Sequence, residues 1–567
     1  MAQQPMHGMP EVTVERDLPV PMADGVSLYA DVYRPAEGGP HPVILISHPY
    51  DKTAAESNFG YLHPSQYARR GYIAVSQDCR GRYSSEGDFQ PFVNEASDVS
   101  ETIGWCATLP GSDGQVATYG FSYPGLNQML AAQTGPPALR AIAPAFTGGS
   151  PYSEWFYVQG AFSLAFATGW ANFLALDKAA RRGDDETLAA YAGALGNAHA
   201  LYWVLPLTAH PALTGADAAF YQDWLAHPTF DDYWKAFEVD YSRIGLPGLH
   251  VGGWWDVFVR GTVRSYRELA RLGQAPQKLL IGPWNHMPWA PLGGATGDVG
   301  AWVVDDWQLR FWDQVLRGTE TGVFDKPVTV YVMNDGWRDF DTWPPSAVEE
   351  TDWYMHSDGR AQSAYGDGTL STDAPKNEPP DVFTYDPALP TVSAGGHSCC
   401  VDTIAPMGPA NQDPVERTKY VVVYTSAPLE RDLVIVGDVH ATIHAATDAP
   451  DTDFTARLCA VDTAGISTNV LEGIVRASYR ESAERPTPIK QGEIHEYRIE
   501  LGPIAVRVPA GHRIRLVVGS SDFPQFDRNL NTGGPFGQES ATAGRSAVQV
   551  VLHNDAHPSR ITLPVLD

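Results

Sequence analysis

Residues 115–125 read QVATYGFSYPG. An apolar run ends at Tyr119, Gly120-Phe121-Ser122 makes a tight turn, and PGLNQMLAAQ (124–133) follows with the pattern of a helix. A serine wedged between a strand and a helix sits at a nucleophile elbow, where its hydroxyl is held up at the end of a sheet. The turn wants a glycine near the strand end, and Gly120 lies two residues before Ser122. Pro124 is tolerated because the first turn of a helix does not use its own N–H groups. The spacing is G-x-S-x-x-G, one residue longer than G-x-S-x-G.

Working outward, PVILISH (42–48) and GYIAVSQD (71–78) are further short, continuous apolar runs, as in strands buried on both faces. A helical pattern at 94–108 lies between them and the elbow, and residues 11–33 read as a hairpin turning at Asp24-Gly25. Strands alternating with helices predict a mostly parallel sheet, and the elbow makes the class α/β, an α/β-hydrolase core. From about 150 to 240 the chain is rich in Ala, Leu and aromatics and reads as helices with no β signal. The α/β pattern resumes with LHVGGWWD (249–256) and LLIGPWNH (279–286), and 302–317 reads as a closing helix. Beyond it, short strands are predicted at 328–333, 352–357, 420–426, 432–447, 454–462, 492–501, 512–519 and 547–554, suggesting a sandwich or jelly roll. The predicted domains are a core in two parts, 1–149 and 243–322, a helical cap insertion at 150–242, and a C-terminal jelly-roll β domain at 323–567.

Two strand ends downstream of the insertion can supply partners for the serine. Asp256 closes LHVGGWWD and His286 closes LLIGPWNH, in the order nucleophile, acid, histidine. A serine hydroxyl is a weak nucleophile at neutral pH, so an imidazole must take its proton and later protonate the leaving group. A carboxylate fixes the imidazole tautomer and stabilises the imidazolium. Taken alone, each residue has a plain structural reading, since there are 17 histidines and an Asp after a strand is a common turn residue or helix cap. The backbone N–H of Tyr123, next after the serine, is the expected first oxyanion donor.

A formal charge of −28 repels phosphate backbones and argues against nucleic acid or an anionic membrane as partner. It reads first as a solvated acidic surface, with steering of cationic substrates as the lesser reading. The five cysteines show no metal spacing, and adjacent Cys399 and Cys400 are a poor geometry for an ordinary disulfide, so reduced thiols are expected. No metal motif, cofactor motif, signal peptide or membrane span is read, which makes a cytoplasmic enzyme the simplest assignment. The expected partner is a small-molecule ester substrate; the oligomeric state, a homo-oligomer included, stays open.

At these residues the sequence resembles the cocaine-esterase-like (CocE/NonD) hydrolases, relatives of X-Pro dipeptidyl-peptidases and α-amino acid ester hydrolases. The resemblance rests on HPYDK (48–52), QDCRGRYSSEGDF (77–89), GFSYPG (120–125), GGWWD (252–256), GPWNH (282–286), FWDQVLRG (311–318) and WRDFDTWPP (337–345). DAPDTDFTARL (448–458) and FDRNLNTGG (526–534) extend it to nearly the whole chain. It implies the same three-part architecture and makes Ser122, Asp256 and His286 the triad, with the Tyr50 hydroxyl as second oxyanion donor. Without it, Tyr50 reads as a structural aromatic. Arg80 and Glu86 read as loop-pinning groups rather than substrate contacts. Trp155, Phe166, Trp170, Trp254, Trp255 and Phe258 are candidates for an apolar acyl pocket, although each alone reads as core. The leading function is serine esterase chemistry through an acyl-enzyme. The alternatives are X-Pro dipeptidyl-peptidase, amino acid ester hydrolase or amide acylase activity on the same triad, and a catalytically silent binding protein.

Overall fold

The computed structural model describes residues 11–54, 60–286, 292, 295, 297–300, 302–399 and 406–567. The amino terminus read for a signal peptide, and Cys400, lie outside these residues. Strands β1 (Val12–Pro21) and β2 (Ser27–Pro35) pair antiparallel, and the turn between them places Gly25 at φ 90°. The apolar runs become β3 (His41–His48), β4 (Ile73–Asp78), β5 (Ser112–Phe121) and β6 (Leu139–Ala145).

These runs are continuous rather than alternating because the sheet is covered on both faces. Val43, Leu45, Val75 and Val116 pack against Val99 and Ile103 of the helix Glu95–Ala107 and Leu126 and Leu130 of the helix Tyr123–Ala132. Ile44, Ile46, Ala74 and Ala117 point the other way, onto Tyr67, Phe311 and Trp312. Phe311 and Trp312 belong to the helix Trp302–Arg317.

Residues 150–240 are mainly helical, led by Leu164–Arg182 with a left-handed glycine cap at Gly183. They also hold a small ribbon, β7 (Tyr157–Val158) with β8 (Ala161–Phe162), where no β signal was expected. Its turn residues Gln159 and Gly160 both take positive φ, the backbone of a tight two-residue hairpin. The Gln159 side chain ties that turn to the backbone of Arg498 and Glu500.

The sheet continues with β9 (Gly248–Trp255), β10 (Gln277–Asn285), β11 (Val328–Val332) and β12 (Gly336–Phe340), in the order β1-β2-β4-β3-β5-β6-β9-β10-β11-β12. Strands β3 to β6 and β9 to β11 run parallel, so their carboxyl ends share one edge. The run 328–333 was expected to open the β-rich region, but its residues Val328, Thr329 and Val330 pair in parallel with β10. The first sheet therefore extends past residue 322 to Phe340. An alternating apolar run carries no information about which sheet edge will accept it.

Among the described residues, the remainder forms an eleven-stranded sheet that is almost entirely antiparallel. It shares one apolar cluster with the end of the first sheet, in which Leu279, Ile281 and Val330 meet Val436, Ile443 and Leu516. Reduced thiols are found at Cys79, Cys106 and Cys459, but Cys399 is disulfide-bonded. The spacing of thiols along a sequence does not by itself fix their oxidation state. Among the described residues, no helix is long and apolar enough to cross a membrane.

Candidate active site

Strand β5 delivers Ser122 at φ 63°, ψ −126°, directly before the helix Tyr123–Ala132. A non-glycine residue in this region costs about 1–3 kcal/mol and persists only where its surroundings enforce it. Here the Ser122 N–H is held by the carbonyls of Ala145 at 2.8 Å and Phe146 at 3.2 Å. The two glycines have separate tasks. A Cβ on Gly120 would stand 2.4 Å from Cβ of Pro124, so the turn closes only around glycine. A Cβ on Gly125 would stand 2.6 Å from Cγ2 of Thr147 and 2.9 Å from the Ala145 carbonyl, so the new helix can lean on the end of β6. The second requirement falls on the third residue after the serine, which accounts for the longer motif.

Strands β9 and β10 are parallel neighbours with Trp255 opposite Asn285, so the residues just beyond them meet. His286 Nδ1 lies 2.8 Å from Oδ1 of Asp256, with both side chains buried. With the carboxylate accepting, Nδ1 carries the proton and Nε2 carries the free lone pair. The His286 ring packs on Phe121, the residue before Ser122, at 5.6 Å, and on Phe146 at 6.4 Å.

Tyr50 stands just past β3, the strand beside β5. Its hydroxyl lies near the Ser122 side chain, and burial raises its pKa well above the ordinary value. The phenol therefore keeps its proton as a donor. The Tyr123 N–H lies in the first helical turn, where backbone donors have no intrahelical acceptor. The Tyr123 phenol faces elsewhere: it donates to Glu95 and accepts from the Phe92 N–H at 2.8 Å. Burial pushes the Glu95 carboxyl up to about 7.

The charge-dense loop after β4 braces this region. Arg80 forks onto Asp98 at 2.8 and 2.7 Å, and Glu86 accepts the Ser27 N–H at 3.0 Å. Arg82 is completely buried and joins the Pro49 carbonyl to the Leu174 carbonyl, so the Tyr50 loop is tied to the inserted helix. That arginine went unremarked in the sequence, where it is one of several charges in a loop.

Four of the aromatic candidates converge. Phe258 packs edge-on to His286 at 5.2 Å and touches Trp155 at 4.4 Å and Phe166 at 5.4 Å. Trp170 stacks on Phe166 at 5.8 Å and lies 5.8 Å from Tyr123. Trp254 and Trp255 lie outside this wall, on opposite sides of their strand as the pleat requires. Trp254 donates to the Tyr331 carbonyl, and Trp255 stacks at 5.7 Å on His397, which is paired with buried Glu472 at 2.8 Å. Nothing local in the sequence marks that second histidine–carboxylate pair, because its members lie 75 residues apart.

An α/β-hydrolase sheet with a strained serine at its elbow and a buried histidine–carboxylate pair at the same edge defines a serine hydrolase. The chain matches the X-Pro dipeptidyl-peptidase (S15 family) over residues 24–288 and the X-Pro dipeptidyl-peptidase C-terminal non-catalytic domain over 322–562. It is 34% identical to a cocaine esterase from a Rhodococcus species, over 98% of this chain and 99% of that one. Among solved structures, an aminopeptidase from a Thaumarchaeota archaeon superposes with TM-score 0.82 at 24% identity, over 100% and 99% of the two chains. An α-amino acid ester hydrolase superposes with TM-score 0.79 at 23% identity, over 100% and 99%. The chain belongs to the cocaine-esterase-like (CocE/NonD) hydrolases of the S15 family, and it is a serine hydrolase acting on esters.

Proposed function

We propose that Ser122, His286 and Asp256 form the catalytic triad and that the enzyme hydrolyses carboxylic esters with apolar acyl groups, aromatic ones included. His286 Nε2 takes the Ser122 proton as Oγ attacks the ester carbonyl. The oxygen that gains charge accepts hydrogen bonds from the Tyr50 hydroxyl and the Tyr123 N–H. The tetrahedral adduct collapses, the alcohol leaves with the proton from His286, and water then releases the acid from the acyl-enzyme by the same steps.

The observation that carries this reading is the buried 2.8 Å His286–Asp256 contact at the same sheet edge as a strained serine with the Tyr50 hydroxyl near it. The acyl class follows from the wall of Trp155, Phe166, Trp170 and Phe258. Among the described residues, that wall bears no carboxylate to hold a substrate ammonium, which favours simple esters over amino acid esters and X-Pro peptides. The test is a panel of p-nitrophenyl esters and X-Pro anilides on wild type and Ser122→Ala, with fluorophosphonate labelling. Ester turnover with burst kinetics and stoichiometric labelling, both lost in the variant, is expected. Faster anilide than ester cleavage would overturn the substrate class, and turnover by Ser122→Ala would overturn the nucleophile.

A further inference from the structure

A cavity of about 450 Å³ lies between the inserted helical region and the all-β region, and none of Ser122, Tyr50, Asp256 and His286 lines it. Its volume is in the range of small-molecule sites. Two sequence motifs that catalysis leaves unused, 448–458 and 526–534, supply much of its wall. Leu164, Leu205 and Leu207 face it from the helical side, and Ile489, Leu530 and Phe536 from the β side.

The charged groups of the wall are unequally committed. Arg476 is bonded to Asp453 at 2.9 and 3.0 Å and to both oxygens of Asp527 at 2.9 Å. Arg528 donates to the carbonyls of Pro387 and Trp203 and lies over the Trp203 ring at 4.6 Å. The direct partners of the Asp451 carboxylate are neutral, the Ser478 N–H at 2.9 Å and the Asn529 amide at 3.2 Å, and Arg476, committed to Asp453 and Asp527, acts on it only through its charge. Glu539 accepts from the Thr532 hydroxyl at 2.5 Å. Among the described residues, neither Asp451 nor Glu539 takes part in an ion pair. Burial raises the Asp451 pKa, the charge of Arg476 offsets this only in part, and a cation in direct contact would relieve the rest. A carboxylate without a direct ion pair, beside the apolar part of a cavity wall, is matched by an ammonium group on an apolar body. A net charge of −28 concentrates such cations around the molecule.

We propose that this interdomain cavity is a second binding site, separate from the esterase centre, for a small amphiphilic ammonium compound. Its apolar part packs on the leucines, Ile489 and Phe536, and its cation faces Asp451 and Glu539.

The test is calorimetric titration of benzyltrimethylammonium into full-length enzyme whose Ser122 has been capped with a fluorophosphonate. One saturable site is expected, with affinity at least tenfold weaker in Asp451→Asn and in Glu539→Gln, and lost in Leu530→Trp, which fills the cavity. Neopentylbenzene, the uncharged isostere, is expected to bind at least tenfold more weakly. Circular dichroism verifies the fold of each variant; if Asp451→Asn does not fold, Glu539→Gln and Leu530→Trp carry the test. The proposal is overturned by an absence of saturable binding, by binding that capping removes, by equal affinity for the uncharged isostere, or by affinity unchanged in Glu539→Gln and Leu530→Trp.

Discussion

The indole N–H of Trp170 donates to the Tyr50 hydroxyl at 3.1 Å, which links the inserted helix to the loop after β3. One hydrogen bond thus orients the phenol that also contacts Ser122. Tyr50→Phe is expected to lower kcat by about 10²–10³-fold with little change in KM, as for loss of one oxyanion donor. Trp170→Phe keeps the wall and removes the orienting bond, so a smaller fall in kcat is expected. Steady-state kinetics decides; a change confined to KM would place Tyr50 in substrate binding instead.

Asp256 holds His286 in the tautomer that leaves Nε2 free. Asp256→Asn preserves the shape but reverses that preference, and kcat is expected to fall by about 10⁴-fold. Fluorophosphonate labelling of Ser122 should slow in parallel. Labelling at the wild-type rate would mean that another group activates the serine.

Ser122 stores backbone strain. Ser122→Ala keeps the Cβ at φ 63°, whereas Ser122→Gly relieves it, so the glycine variant should unfold at the higher temperature of the two. Equal or reversed Tm values would show that the turn is not strained in solution.

Glu95 lies buried under Tyr123, and burial pushes its carboxyl from 4.5 up to about 7. A folded pKa above the unfolded one means that protonation favours the fold. The associated stability is complete below pH 4.5 and is lost as pH rises to about 7. Glu95→Gln removes this titration and keeps an acceptor for the Tyr123 hydroxyl. It should flatten the denaturation profile across that window and gain on the order of 2 kcal/mol at pH 8. A variant less stable than wild type at pH 8 would contradict the assignment.

The order of strands and helices around the elbow was legible because periodicity is a local property. Continuous apolar runs at 42–48 and 115–120 report two buried faces, and Gly120 before Ser122 reports a turn that excludes a side chain. The β-rich region was legible in kind but not in detail. Strands such as Ser467–Arg476 and Arg560–Leu566 were missed, and 328–333 joined the other sheet, because pairing partners are chosen by distant edges.

Composition, periodicity and motif order by themselves determined the α/β-hydrolase class, the strand-end positions of Ser122, Asp256 and His286, and the presence of a helical insertion and an all-β region. Tertiary structure alone decided that His286 meets Asp256 at 2.8 Å, that Trp170 donates to Tyr50, that Trp255 turns to His397 rather than to Phe258 and Trp155, and that Asp451 lines a cavity without a direct ion pair. The physical reason is range. A residue's conformational preference is written within a few neighbours along the chain, whereas its hydrogen-bond partner, its burial and hence its charge state are set by residues that only folding brings near.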